Sequence, residues 1–316
     1  MLSSLRPLNR NLVQQGRYSP VGTIQATRGC RQRCTFCSIT SFFGHQYRTR
    51  PVDQVVDELK SLGRQILFLD DNLITEAEYA RELFAAMIPL KKRWYSQCSI
   101  GLAQDEGLLD LAVRSGCGGL FIGFESLSQD NLRAWKKTFS RAWDYERAVQ
   151  RLHAAGIAVY AGIVFGYDWD STDVFRDTLE FLLKANVDAL QATILTPFPG
   201  TPLFASMEQE RRITDRDWSH YDFRHVVFEP KSMSAETLQA GHDWVLAQYY
   251  SLPHVVKRLR NELSYLPVST LLLASGPLNY GYRHRLKRDG TWGTIAPPVG
   301  LRVTTPREDG RTVAVP

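Results

Sequence analysis

Between residues 21 and 195, short apolar runs alternate with stretches whose apolar positions recur at three- and four-residue spacing. Residues 21–27 read as a first strand that ends near Gly29. Pro51 suits the first turn of a helix, where its missing N–H is not needed. Val52, Val55, Val56, Leu59 and Leu62 then mark one helical face, and Gly63 stops it. Residues 65–69 predict a second strand. Thr75 and Glu78 have the spacing of a capping box, opening a helix whose buried face includes Tyr79, Leu83 and Met87. Further strands are predicted at 94–100, 120–124, 157–165 and 187–195, and helices at 106–114, about 141–155 and 174–183. Six β–α steps with mostly apolar strands imply an α/β fold whose parallel sheet is covered by helices. Periodicity leaves two architectures open, a partial barrel and an open doubly wound sheet.

Beyond Pro197 the alternation stops. Residues 226–228 predict a short strand and 235–250 a helix. The chain thus divides into a linker-like segment (1–19), a core domain (20–230) and a C-terminal accessory region (231–316), mostly helical and then irregular, with a loose tail from about 303.

The chain has 316 residues, 44% hydrophobic and 22% charged, as in an ordinary globular protein. Its apolar runs, such as residues 271–274, fall far short of the roughly 20 residues a bilayer needs, so no transmembrane segment is expected. The first twenty residues are polar and contain arginine, unlike a secretory signal, and a cytoplasmic location is expected. A net charge of +5 gives no argument for nucleic acid as a partner, and the basic run at 283–288 reads as solvated surface, with a phosphate-binding patch as the alternative.

Three of the five cysteines, Cys30, Cys34 and Cys37, fall within eight residues as CxxxCxxC, while Cys98 and Cys117 are isolated and read as small buried residues. An odd count without an export signal points to metal chemistry rather than disulfides. The cluster of three follows the first strand, at the end of a parallel sheet where such folds place their active sites. Three thiolates leave one iron of a 4Fe–4S cluster without a protein ligand, free to chelate a small molecule. Structural zinc needs a fourth ligand, and His45, Cys98 and Cys117 all lack zinc-finger spacing. Arg28, Arg31 and Arg33 surround the motif and are expected to favour thiolate formation.

Other residues admit two readings. Asp70 and Asp71, with Asn72 at an apolar strand end, want a cation or form a helix-capping turn. Glu125, directly after an apolar strand, needs hydrogen-bond donors from a ligand or a salt-bridge partner. Tyr47, Arg48 and Arg50 suit either a pocket anion or surface pairing.

CxxxCxxC with Phe36 before its last cysteine, on the first loop of a (β/α)6 pattern, resembles the radical S-adenosylmethionine superfamily. The run from Arg28-Gly29-Cys30 through Phe43-Gly44, then Tyr47 to Pro51, is similar to its cobalamin-binding branch and to methylthiotransferase-like relatives, and the resemblance covers about residues 16–230. It implies a partial (β/α)6 TIM-like barrel with a C-terminal accessory segment. It further implies a 4Fe–4S cluster on Cys30, Cys34 and Cys37, with S-adenosylmethionine held at its open iron. The implied cofactor contacts are Phe36; Asp70, Asp71 and Asn72 at the methionine amino group; Glu125 and Ser126 at the ribose; Gly162 and Ile163 at the adenine; and Pro197 at the rim. Where the family often continues Pro-Gly-Glu, this chain has Tyr167-Asp168-Trp169-Asp170.

The chemistry so implied is reductive cleavage by an electron from a flavodoxin- or ferredoxin-type donor, giving a 5′-deoxyadenosyl radical. The outcome is methylation or rearrangement of a small-molecule or lipid-like substrate. Branch members carry an N-terminal cobalamin domain, and no Asp-x-His-x-x-Gly signature occurs here. The resemblance therefore leaves cobalamin supplied by a missing or separate domain or protein, or lost from this relative. The alternatives are an RNA or protein methylthiotransferase, which wants further cysteines and a basic C-terminal domain, and a non-catalytic iron–sulfur or zinc module.

Overall fold

A computed structural model describes residues 2, 9–12, 21–137, 144–288, 303–306 and 312–315. Six parallel strands form its sheet: β1 (Gly22–Ile24), β2 (Gln65–Phe68), β3 (Arg93–Cys98), β4 (Cys117–Glu125), β5 (Ala158–Phe165) and β6 (Ala189–Ile194). Their spatial order is their chain order, with β1 and β6 at the edges. A doubly wound sheet reverses that order partway. Here nothing reverses, and the fold is a partial (β/α)6 barrel left open between β1 and β6.

Helices follow the strands as the apolar spacing predicts. After α1 (Ser38–Phe43), α2 (Val52–Ser61) buries Val55 and Leu59, and α3 (Ala77–Met87) buries Ala80, Leu83, Phe84 and Met87. The expected capping box does not form. The Thr75 hydroxyl donates back to the Asn72 carbonyl at 3.0 Å, and the helix starts two residues later. In α4 (Glu106–Arg114) the Asp105 carboxylate accepts from the Leu108 N–H, a cap the sequence reading passed over. A short α5 (Gln129–Ala134), capped by Ser128, was also unforeseen. α6 (Tyr145–Ala154) and α7 (Val174–Lys184) complete the repeats. The first predicted strand is cut in two: β1 ends at Ile24, and Thr27–Arg28 pairs antiparallel with Arg48–Thr49 instead.

After α8 (Pro202–Gln209), the strand expected at 226–228 is reduced to one bridge between Ile213 and Phe228. α9 (Ala235–Tyr249) packs on α7 and β6, with Leu238, Val245 and Tyr249 in the same core as the barrel. Then come α10 (Leu252–Glu262), a turn at Val268–Thr270, a π-helical segment (Leu271–Ser275) and α11 (Gly276–Arg288), which carries the basic run. Buried Arg258 joins α10 and α11 to the barrel: it lies 3.8 Å from the Tyr249 ring centroid and donates to Asn279, which donates to the Asp188 carbonyl. The tail read as irregular carries one antiparallel pair, Val303–Pro306 with Thr312–Val315, both rich in β-branched residues. The expected linker lies mostly outside the described residues. No helix among the described residues is long and apolar enough to cross a membrane.

Candidate active site

Cys30, Cys34 and Cys37 occupy the loop between Arg28 and α1. Three hydrogen bonds fix this loop: Gly29 N–H donates to Asp71 Oδ2 (2.9 Å), Thr35 N–H to the Trp135 carbonyl (3.3 Å), and Leu203 N–H to the Thr35 carbonyl (3.1 Å). Gly29 has φ +91°, and a Cβ there would collide with the Gln46 carbonyl oxygen, so glycine is required. All three cysteines line one cavity, together with Phe36, Asp71, Asn72, Cys98, Gly123, Glu125 and Lys137.

Burial pushes the Cys34 thiol up to about 12, against the pull of the Lys137 ammonium, and also raises Cys37. This corrects the expectation that neighbouring arginines would make thiolates. Arg31 pairs with Glu76, and Arg28 donates to Gln25. In these two thiols desolvation outweighs the surrounding charge, and a bound metal would deprotonate them.

β4 ends in a bulge: Gly123 stands opposite Gly162, and the next paired residue, Glu125, stands opposite Ile163. Glu125 takes a left-handed φ of 65°, rare for a residue with a Cβ and typical of strained functional positions. The bulge re-aims its carboxylate into the cavity, where it accepts from Lys137 Nζ at 2.5 Å. Lys137 also donates to the Gly123 carbonyl at 2.7 Å, and its side chain is only 7% exposed. A Cβ on Gly123 would lie 3.0 Å from Lys137 Nζ and collide with Glu125 Oε1. Sequence reasoning missed Lys137; one lysine of a Lys-Lys pair carries no mark of burial.

The acidic pair after β2 divides its work. Asp70 Oδ1 accepts from the Thr27 N–H and hydroxyl and Oδ2 from the Ala26 N–H, and burial raises its carboxyl to about 6. These donors offset only part of its desolvation, and through them Asp70 joins β2 to the end of β1. Asp71 and Asn72 line the cysteine cavity. Asn72 Oδ1 accepts from the Ser99 N–H, which orients its amide.

A second cavity of about 140 Å³ shares Phe36 and Glu125 with the first and adds Gly162, Ile163, Thr193 and Thr196. The structure therefore brings together the cysteines, Phe36, Asp71, Asn72, Glu125, Gly162 and Ile163. Ser126 is not among them: its hydroxyl accepts from Ser128 N–H and Asn131 Nδ2 at the start of α5. Pro197 is buried one residue beyond Thr196 and lines neither cavity. Asp170 accepts from the Gly166 and Tyr167 N–H groups, and Asp168 pairs with Arg212, so both acids are structural. Arg50 is buried against Glu58, Tyr47 donates to the Asn72 and Leu73 carbonyls, and neither lines the cysteine cavity.

The residues present fit a 4Fe–4S cluster. Three thiols, those of the CxxxCxxC motif, line one cavity. Beside Phe36, Trp135 Nε1 and Tyr167 Oη are buried without a hydrogen-bond partner, and cluster sulfurs accept from such donors. Below, the barrel lumen holds a larger cavity of about 460 Å³, lined by Leu67, Tyr95, Phe121 and Tyr160 and by Thr270, Ser275 and Leu278 from the C-terminal helices.

Known proteins resemble this chain. The bacteriochlorophyllide d C-12(1)-methyltransferase of Chlorobaculum tepidum is 35% identical over 78% of this chain and 55% of its own length. The hopanoid C-2 methylase of Rhodopseudomonas palustris is 26% identical over 73% of this chain and 48% of its own. The chain thus spans about half the length of these relatives. TsrM of Kitasatospora setae, a radical S-adenosylmethionine methyltransferase solved with cobalamin and a 4Fe–4S cluster bound, shares the fold with a TM-score of 0.56 at 22% identity, over 60% of this chain and 39% of that one. The model of the radical SAM superfamily matches residues 24–182, half of the chain. With its cysteine loop, open barrel and converging strand ends, the chain belongs to the radical SAM superfamily, whose enzymes use a 4Fe–4S cluster and S-adenosylmethionine.

Proposed function

We propose that this chain is the catalytic core of a radical S-adenosylmethionine methyltransferase acting on an apolar small-molecule or lipid-like substrate. The observation that carries the reading is one cavity in which three cysteines meet Asp71, Asn72, Glu125 and Lys137. Cys30, Cys34 and Cys37 would hold the cluster, with its fourth iron left to S-adenosylmethionine. When bound, the pair supplies a one-electron reductive cleavage that yields a 5′-deoxyadenosyl radical.

The protein's own part is to bind, orient and exclude water. Asp71 and Asn72 accept from the cofactor's ammonium. Lys137 provides positive charge for its carboxylate, and Glu125 accepts from the ribose hydroxyls. Gly162 and Ile163 leave a flat apolar seat for the adenine, and Phe36, shared by both cavities, keeps solvent away. The substrate occupies the lumen. Methyl transfer is favoured because the chain resembles two named methyltransferases across most of its length. In that reading cobalamin comes from a domain or protein beyond these residues, and the electron from a flavodoxin- or ferredoxin-type donor in the reducing interior of the cell.

The test is anaerobic reconstitution with iron and sulfide, followed by iron counting and a 5′-deoxyadenosine assay with dithionite. About four irons per chain and cofactor cleavage are expected, and Cys34→Ala should lose both. A single bound zinc, or a cluster that leaves S-adenosylmethionine intact, would overturn the reading. Added methylcobalamin should then support methylation of an apolar acceptor; cleavage without methylation removes the methyltransferase assignment alone.

A further inference from the structure

Two segments carry the chain's excess positive charge: residues 1–50, around the cysteine motif, with eight arginines and no acidic residue, and residues 251–288. Residues 251–288 hold seven lysines and arginines and one acidic residue. The single acidic residue, Glu262, is fully buried. The same segment exposes large aliphatic side chains. Leu252, Val256 and Leu263 recur at i, i+4 and i+11 along α10, with half-buried Leu259 at i+7 completing the stripe. Val268 and Leu272 follow, and these five exposed residues are 56% to 70% solvent-accessible. Lys257 and Arg260, both exposed, lie along one side of the stripe, and on its other side the helix buries Val255, Arg258 and Glu262 against the protein.

An exposed aliphatic stripe beside basic residues, on helices too short to span a bilayer, is the arrangement of an interfacial helix. Leu and Val offer no ring on which bases stack, which disfavours RNA. A one-signed basic flank matches an anionic lipid surface better than a protein of mixed charge. The turn and π-helical segment after α10 have two sides: Val268 and Leu272 are exposed, while Thr270 and Ser275 line the apolar lumen.

We propose that α10 and the turn that follows it form a docking face for an anionic lipid surface, bringing the helical wall of the lumen against the bilayer. The aliphatic stripe enters the headgroup boundary, and Lys257 and Arg260 meet lipid phosphates. This goes beyond the reading of the active site and does not depend on it, because docking needs neither cluster nor cofactor.

Flotation of the purified full-length chain with vesicles tests it. Vesicles containing phosphatidylglycerol should carry the protein up the gradient, and pure phosphatidylcholine should not. Lys257→Glu with Arg260→Glu should weaken binding about twenty-fold or more, at roughly fivefold per basic residue near the surface. Val256→Asp with Leu263→Asp should abolish it. Both pairs should keep the parent melting temperature and 5′-deoxyadenosine formation, which separates lost docking from lost folding. The proposal fails if anionic vesicles do not bind at low salt, if neither variant pair changes binding, or if the chain binds RNA or a protein partner through this face and leaves vesicles unbound.

Discussion

At the scale of single residues, the site turns on side chains held where they would otherwise be disfavoured. Glu125 sits in a left-handed conformation on a bulge, with Lys137 desolvated beside it. Charged hydrogen bonds of this kind are worth about 1.5–3 kcal/mol, and more is lost when one partner stays buried alone. Glu125→Ala should therefore weaken S-adenosylmethionine binding roughly ten- to a hundredfold, read by equilibrium titration of the reconstituted protein, with iron content unchanged. Loss of iron together with affinity would show that Glu125 holds the fold rather than the ribose. Glu125 was legible in the sequence because an acid after an apolar strand needs partners. Lys137 was not: burial of a lysine is decided by how α5 returns over the strand end, and no local pattern records that.

At the scale of elements, the end of β2 shows why adjacent acids cannot be ranked from sequence. Asp70 and Asp71 read alike, and only the positions of the Ala26 and Thr27 N–H groups assign the first to structure. Asp70→Ala should leave these buried donors unpaired and lower the unfolding free energy by about 2–4 kcal/mol, measured by urea denaturation. Asp71→Ala should change stability by only about 1 kcal/mol while weakening cofactor binding. Equal losses of stability in the two variants would sink this division. Most helices were readable because a 3.6-residue period survives whatever the tertiary context. The capping box at Thr75 failed for the opposite reason: its hydroxyl found a nearer acceptor in the Asn72 carbonyl.

At the scale of the molecule, strand order decided what periodicity had left open. A barrel and a doubly wound sheet present the same run of elements, and only long-range pairing separates them. Burial beyond the ends of two strands also contributes to the acid response of the fold. The carboxyls of Asp70 and Asp170 are raised from 3.8 to about 6, chiefly by desolvation. A raised carboxyl means that the folded state prefers the proton. The stability each contributes is complete below about pH 3.8 and is lost as pH climbs through about 6, roughly 3 kcal/mol apiece. Asp170→Asn should flatten that decline, seen as a difference from the parent in urea midpoints across this window, where shared contributions cancel. Parallel curves would place the proton elsewhere.

The lumen has one further consequence. One part of its wall is sheet, and another is a helical stretch contributed long after the last strand of the barrel. On the proposed function, chemistry and selectivity are encoded far apart along the gene. Exchanging the late helices for others would present a new guest to an unaltered radical source, so a single catalytic design can diversify by swapping one side of its vessel.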